Sequence, residues 1–143
     1  MVDFKTFVKR FEKIEPFIRK EGTKILMTQG KDIVEMVKEQ HHDWKNADAK
    51  VMQSGYSSGY GKQRKKKGLQ TRFVDLHFSG KYHDKLKTVV AKDGVDVESN
   101  VDYEKYIRGN FPNSVGLTPE NAAKTATVIA NILAPIIKKY LVA

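Results

Sequence analysis

No cysteine occurs among the 143 residues, so disulfide scaffolds, thiolate metal sites and cysteine nucleophiles are excluded. No uninterrupted apolar run reaches the roughly 20 residues that cross a bilayer. The N-terminus, MVDFKTFVKRFEK, is charged throughout and has no apolar block like that of a secretory signal. The expectation is a soluble chain made in the cytoplasm, with no membrane partner. Catalytic signatures are missing as well. There is no GxSxG, GxGxxG or HExxH, and GYSSGYGK fails as a phosphate loop because Gln63 follows Lys62 where serine or threonine is required. Of the four histidines, His41 and His42 are adjacent, which on a helix points them about 100° apart. His77 and His83 add no metal-binding spacing. The carboxylate pairs Glu12 with Glu15 and Asp96 with Glu98 are what charged faces produce routinely. No catalytic residue, cofactor or metal is expected, and an enzyme is not the leading class.

Acidic residues are missing from one segment in particular. Between Asp48 and Asp75 there is none, while Lys50, Lys62, Arg64, Lys65, Lys66, Lys67 and Arg72 supply seven positive charges in a chain of net charge +9. The basic character thus belongs to one segment and not to the whole fold. From Ser54 to Gly68 the composition is Gly, Ser, Tyr and Lys, which predicts a long loop, and loops of that length are functional or disordered. Lys62, Arg64, Lys65, Lys66, Lys67 and Arg72, with Tyr56 and Tyr60, are the candidate contact residues. They suit phosphate neutralisation and base stacking, or an acidic neighbouring subunit, or plain solvation. Lysine has no base-reading fork like that of arginine, so any nucleic-acid contact would be backbone-directed and salt-sensitive.

The remainder has the composition of a globular domain, 40% hydrophobic and 30% charged. Phe4, Phe7, Val8, Phe11, Ile14 and Ile18 recur at helical steps and predict an amphipathic helix whose stripe meets a core or a partner helix. Pro16 should kink or restart it. Ile25, Leu26, Ile33, Val34 and Val37 continue the pattern, which fades between His41 and Asn46. In RFVDLHF, Val74, Leu76 and Phe78 alternate with Phe73, Asp75 and His77, predicting a strand. KYHDKL suits one helical turn. KTVVAKDGVDVES predicts a hairpin about Asp93-Gly94. Val101 to Ile107 fits either a strand or a helical turn. The closing helix has Thr118 as N-cap, Pro119 in the first position and Glu120 at the positive end of the dipole. Its apolar face is Ala122, Ala126, Ile129, Leu133, Ile136 and Tyr140, and a bend is expected at Pro135. The reading is one α+β domain over 1–143: a long helical region (1–46), a basic loop (47–71), then a small antiparallel sheet with a hairpin and a C-terminal helix packed on it (72–143).

The order of the second half resembles the small neck proteins of tailed bacteriophages, the tail-completion, head–tail connector or tail-terminator family. The likeness runs from Asp75 to the end: VDLHFSGKYHDKLKTVV, DGVDVES, DYEKYIRGNFP, then VGLTPENAAKTATVIANIL. Ser79-Gly80 stands where the family has a threonine–glycine step, followed by Leu86 as the apolar anchor of the short helix. Tyr103, Tyr106 and Gly109 match its tyrosine segment. Gly116, Leu117, Thr118 and Pro119 match the opening of its final helix. Serine for threonine is one departure, and the loop before VGLTPE lacks the family's arginine–proline pair. The resemblance implies a structural virion protein without turnover or cofactor. Such a protein forms a ring, often hexameric, that completes the tail or joins it to the capsid connector. Its expected partners are copies of itself, other neck and tail proteins, and DNA in the lumen. Its expected location is the virion, after assembly in the host cytoplasm. The alternative is a small, basic, non-specific nucleic-acid-binding module.

Overall fold

A computed structural model describes residues 2–52, 56–92 and 94–143. The chain is α+β: helices and a two-stranded antiparallel sheet, with the C-terminal helix packed on the sheet. Three helices open it, α1 (Phe4–Glu12), α2 (Ile14–Thr28) and α3 (Gly30–His42). Asp3 caps α1, its carboxylate accepting from the Thr6 N–H at 3.0 Å. The break between α1 and α2 falls at Lys13, three residues ahead of the predicted kink. Pro16 thereby occupies the first turn of α2, where a backbone N–H has no helical partner in any case. The second break, at Gln29, comes where α3 passes over the sheet so closely that a Cβ on Gly30 would overlap Thr88 Oγ1.

The predicted hairpin is present as β1 (Leu86–Ala91) and β2 (Gly94–Ser99), in register from Leu86 opposite Ser99 to Ala91 opposite Gly94. Of the expected turn pair, Gly94 has φ 145° and Asp93 lies outside the described residues. The single turn predicted in KYHDKL is α5 (Lys81–Asp84), and the ambiguous segment after Val101 is helical, α6 (Glu104–Asn110). The core joins Ile33, Val34 and Val37 of α3 to Tyr82, Leu86, Val97 and Val101. The closing helix is α7 (Pro119–Val142), unbroken through Pro135. It runs along α2 and α1, and α2 in turn touches both strands. Phe17 stacks on Tyr140 at 3.9 Å, and Arg10 donates to the carbonyls of Tyr140 and Ala143, closing the free C-terminal end of α7.

Two sequence expectations are corrected. RFVDLHF is not a strand. The Asp75 carboxylate accepts from the His77 N–H two residues on, and Leu76 has φ 56°. Such a local side-chain turn diverts the backbone from a ladder, whatever the alternation of apolar residues. The basic segment, of which 53–55 lie outside the described residues, is not loop throughout either. Ser58–Lys66 forms helix α4, capped by Ser57, whose hydroxyl accepts from the Tyr60 N–H.

Candidate functional site

The helix α4 stands because its ends are chemically suited to be ends. Arg64, Lys65 and Lys66 fall in its last turn, where the negative end of the dipole favours cations. Gly68 follows with φ 71°. Its N–H donates to Lys65 O and that of Leu69 to Arg64 O, both at 3.0 Å, the paired bonds of a Schellman stop. Gly68, the last residue of the stretch predicted as loop, is thus a helix terminator.

Arg64 fastens α4 to the segment that follows. Its side chain is 1% exposed. Nε donates to Gln70 O at 2.9 Å, Nη1 to His77 O at 2.6 Å, and Nη2 to both Asp75 oxygens, the nearer at 3.0 Å. Its guanidinium lies 4.1 Å from the centre of the Tyr56 ring. The Tyr56 hydroxyl donates to Asp75 Oδ1 at 2.9 Å and accepts from the Asp75 N–H, while Gln70 Nε2 donates to Asp75 Oδ2. Burial works to raise the Asp75 carboxyl. The donors Gln70, His77 N–H and Tyr56, together with the Arg64 charge, outweigh it and hold the group below its usual range. Burial pushes the Tyr56 phenol well up. Among the candidate contact residues Arg64 is therefore the exception. Its three nitrogens are engaged inside the chain, and it is available neither to a phosphate nor to a neighbouring subunit.

The other candidates divide in two. Lys62, Lys65, Lys66, Lys67 and Arg72 are exposed, and none forms an ion pair among the described residues. Lys67 lies 4.3 Å from the Phe78 ring centre and Arg72 5.1 Å from that of Phe73. Tyr56 and Tyr60 are half-buried and meet edge to face, 5.1 Å apart. Both line a cleft of about 710 Å³ beside α4, whose other walls include Phe78, Tyr82, Tyr103 and Phe111, with Lys81 also in the lining. Tyr82 is 3% exposed and its hydroxyl has no hydrogen-bond partner among the described residues. Burial, with the nearby Glu104 carboxylate, pushes that phenol far above its ordinary value. Sequence reading had not singled out Tyr82. The rings of this cleft come from segments scattered over more than fifty residues, and no spacing rule connects them.

The motif residues of the second half act structurally where the structure places them. Gly80, at φ 83°, opens α5, and the Ser79 hydroxyl accepts from the Lys81 N–H. Tyr103 precedes α6 and faces the cleft, Tyr106 is 62% exposed, and Gly109 has open space around it. Gly116, at φ 132°, lies against Ala47, and Leu117 packs on the core. The start of α7 is held by buried Gln40 of α3. Its side-chain nitrogen donates to Gly116 O at 2.7 Å, and its oxygen accepts from Thr118 N–H and Asn121 Nδ2. Thr118 caps α7 through Asn121 N–H, with Pro119 in the first position.

A histidine cluster is the other feature that adjacency in the sequence concealed. His41 is buried while His42 is exposed. The His41 Nε2–H donates to Ser114 O, so its Nδ1 accepts from the Nε2–H of His83 at 3.0 Å, and His77 stacks on His83 with ring centres 5.8 Å apart. Burial depresses the His41 imidazole, and burial with His41 and His77 as neighbours brings His83 down to about 4. Both rings are neutral at pH 7. Among the described residues no group of three or more His, Cys, Asp or Glu side chains is arranged to hold a metal ion.

The face of α7 is the last unusual surface. Only Thr125 and Leu133 of its 24 residues are buried. Ala122 and Ala126, predicted for its packed face, are exposed, because the helix seats on the neighbouring stripe of Asn121, Thr125, Ile129 and Leu133. By length and composition it is a helix that would reach across a bilayer, which the absence of an uninterrupted apolar run had argued against. Phe4, Val8 and Phe11 of α1 are exposed as well. Compared with protein-family models, curated proteins and solved structures, the chain matches none.

Proposed function

We propose that the protein is a structural subunit of a phage virion neck. Copies of it pair through the helical α1–α7 layer and the sheet edges into a ring, of sixfold symmetry by the family's habit. The ring completes the tail or joins it to the capsid connector. The observation that carries this reading is the unburied apolar length of α7. Val128 and Ile132, one turn apart, stay 43% and 39% exposed, and Phe4 of the adjoining α1 is 82% exposed. An apolar surface of this extent is the mark of an interaction site. The two-stranded sheet also leaves the outer edge of each strand open to another strand. Glu120, Lys124, Lys138 and Lys139 along α7, its stack on Phe17 and its Arg10 closure favour protein over lipid as the covering material. The order of motifs from Asp75 onward supplies the particle. Electron microscopy of the concentrated protein is expected to show closed rings. Dispersed particles of 16.3 kDa at every concentration would contradict the reading.

A second reading, a basic nucleic-acid-binding module, is favoured by the lysines of α4 that have no ion-pair partner among the described residues. It places salt-sensitive affinity for DNA in a monomer or dimer.

A further inference from the structure

The cleft beside α4 brings together three things that occur together nowhere else among the described residues: an unsatisfied buried hydroxyl, a wall of aromatic rings and uncommitted positive charge. The hydroxyl is that of Tyr82. A buried polar group without a partner destabilises the fold, and a ligand that brings a hydrogen-bonding edge to that depth removes the penalty. The rings are Tyr60, Phe78, Tyr103 and Phe111. The charge is Lys81 in the lining, Lys67 against the Phe78 ring, and the exposed lysines of α4.

We infer that this cleft receives an unpaired nucleotide of a single-stranded nucleic acid. The base enters among the rings and offers its polar edge to the Tyr82 hydroxyl. Its own phosphate meets Lys81 and Lys67, and the flanking phosphates follow α4. Planar rings interspersed with polar groups, Ser57, Ser79 and Asn110 beside the buried Tyr82, suit a heteroaromatic base, which has both a face to stack and an edge to bond. A duplex keeps its base faces stacked and presents phosphates and groove edges, so none of its bases can enter among the rings. The nine residues of α4 extend roughly 13 Å, so their lysines reach more than one phosphate, which favours a strand over a free nucleotide. Aromatic side chains of a second copy fit less well. The exposed rings of α1, Phe4 and Phe11, stand among Lys5, Lys9, Arg10 and Lys13, which outnumber the flanking Asp3 and Glu12, and the net like charge opposes their entry past the lysines. The inference rests on the nucleic-acid reading for its lysines and is independent of ring formation.

Fluorescence anisotropy tests it with the full chain, a labelled oligothymidylate of about twelve nucleotides, the corresponding duplex, and thymidine monophosphate as competitor. The strand is expected to bind at least tenfold more tightly than the duplex, and the mononucleotide to compete only weakly. Tyr103→Leu, which removes a ring and keeps apolar volume, should weaken strand binding roughly tenfold. Tyr82→Phe should weaken it several-fold while leaving the melting temperature unchanged or raised, because only the unsatisfied hydroxyl is lost. Lys62→Gln with Lys65→Gln should lower affinity for strand and duplex together and flatten the salt dependence. Equal or tighter binding of the duplex, with Tyr103→Leu and Tyr82→Phe silent, overturns the cleft and leaves the basic-module reading standing. Absence of binding to any probe overturns both. Loss of self-association in Tyr103→Leu without strand binding gives the cleft to a neighbouring subunit and overturns the inference.

Discussion

The helices α3 and α7 are both rich in apolar side chains, yet α3 buries Gly30, Ile33, Val34, Val37, Gln40 and His41 out of 13 residues, and α7 buries Thr125 and Leu133 out of 24. α3 lies between the sheet and the start of α7, so its apolar stripe is consumed inside the chain. α7 has neighbours on one side only. Within α4 the same contrast appears in polar form: Arg64 spends its nitrogens on Gln70, Asp75 and His77, while Lys62, Lys65 and Lys66 spend theirs on solvent. What the fold needs and what it leaves over are thus separated residue by residue, and the surplus is the part that points to other molecules.

The sharpest way to test that separation is inside α4. Arg64→Met leaves the Asp75 carboxylate without its cation in a half-buried site and is expected to cost about 4 kcal/mol of folding stability. Lys65→Met should stay within about 0.5 kcal/mol. Urea unfolding followed by circular dichroism measures both. The helices give the next contrast. Ile33→Ala, at a site 2% exposed, should cost about 3 kcal/mol through lost burial and the cavity it leaves, whereas Ile132→Ala should cost about 0.5 kcal/mol or less in the separated subunit. Equal costs would erase the distinction between α3 and α7.

Acid should loosen the α3 side first. His83 and His41 are held neutral in the fold, His83 with its value near 4 against 6.5 when free, so the unfolded chain takes up protons that the folded chain refuses. Stability is complete above about pH 6.5 and declines as pH falls towards 4; Asp75, held below its ordinary value, adds a loss only at still lower pH. Urea midpoints at intervals through that window should fall in the wild type and flatten in His83→Gln. The smallest effect belongs to a single cap: Thr118→Ala should cost about 1 kcal/mol, read as a lowered melting temperature.

The elements legible in the sequence were those whose signals are local and agree with one another. Thr118-Pro119-Glu120 marks the start of α7, the β-branched runs around Asp93-Gly94 mark the hairpin, and KYHD gives its one turn. RFVDLHF carried a strand's alternation, but Asp75 bonds to four groups, three of them contributed by Tyr56, Arg64 and Gln70 from earlier in the chain, and no local pattern registers that. The α4 signals were present: Ser57 ahead of the helix, Lys, Gln and Arg as good helix formers, cations in the final turn, and Gly68 to stop it. The glycines at 59 and 61 and the run of like charge pointed the other way. Every lysine among the candidates is exposed as a contact residue must be, whereas the burial of Arg64 depends on a tertiary partner eleven residues on. Tyr82 and the His41–His83 pair emerge only when distant segments are brought together.

The account turns on whether the surplus face of α7 is covered by further copies of this chain. Light scattering coupled to size exclusion, run on the wild type and on the doubly substituted Val128→Asp, Ile132→Asp protein over a wide concentration range, tests this directly. The wild type is expected at a multiple of 16.3 kDa and the variant at 16.3 kDa with an unchanged circular dichroism spectrum. A wild type that remains at 16.3 kDa at the highest concentration would contradict it.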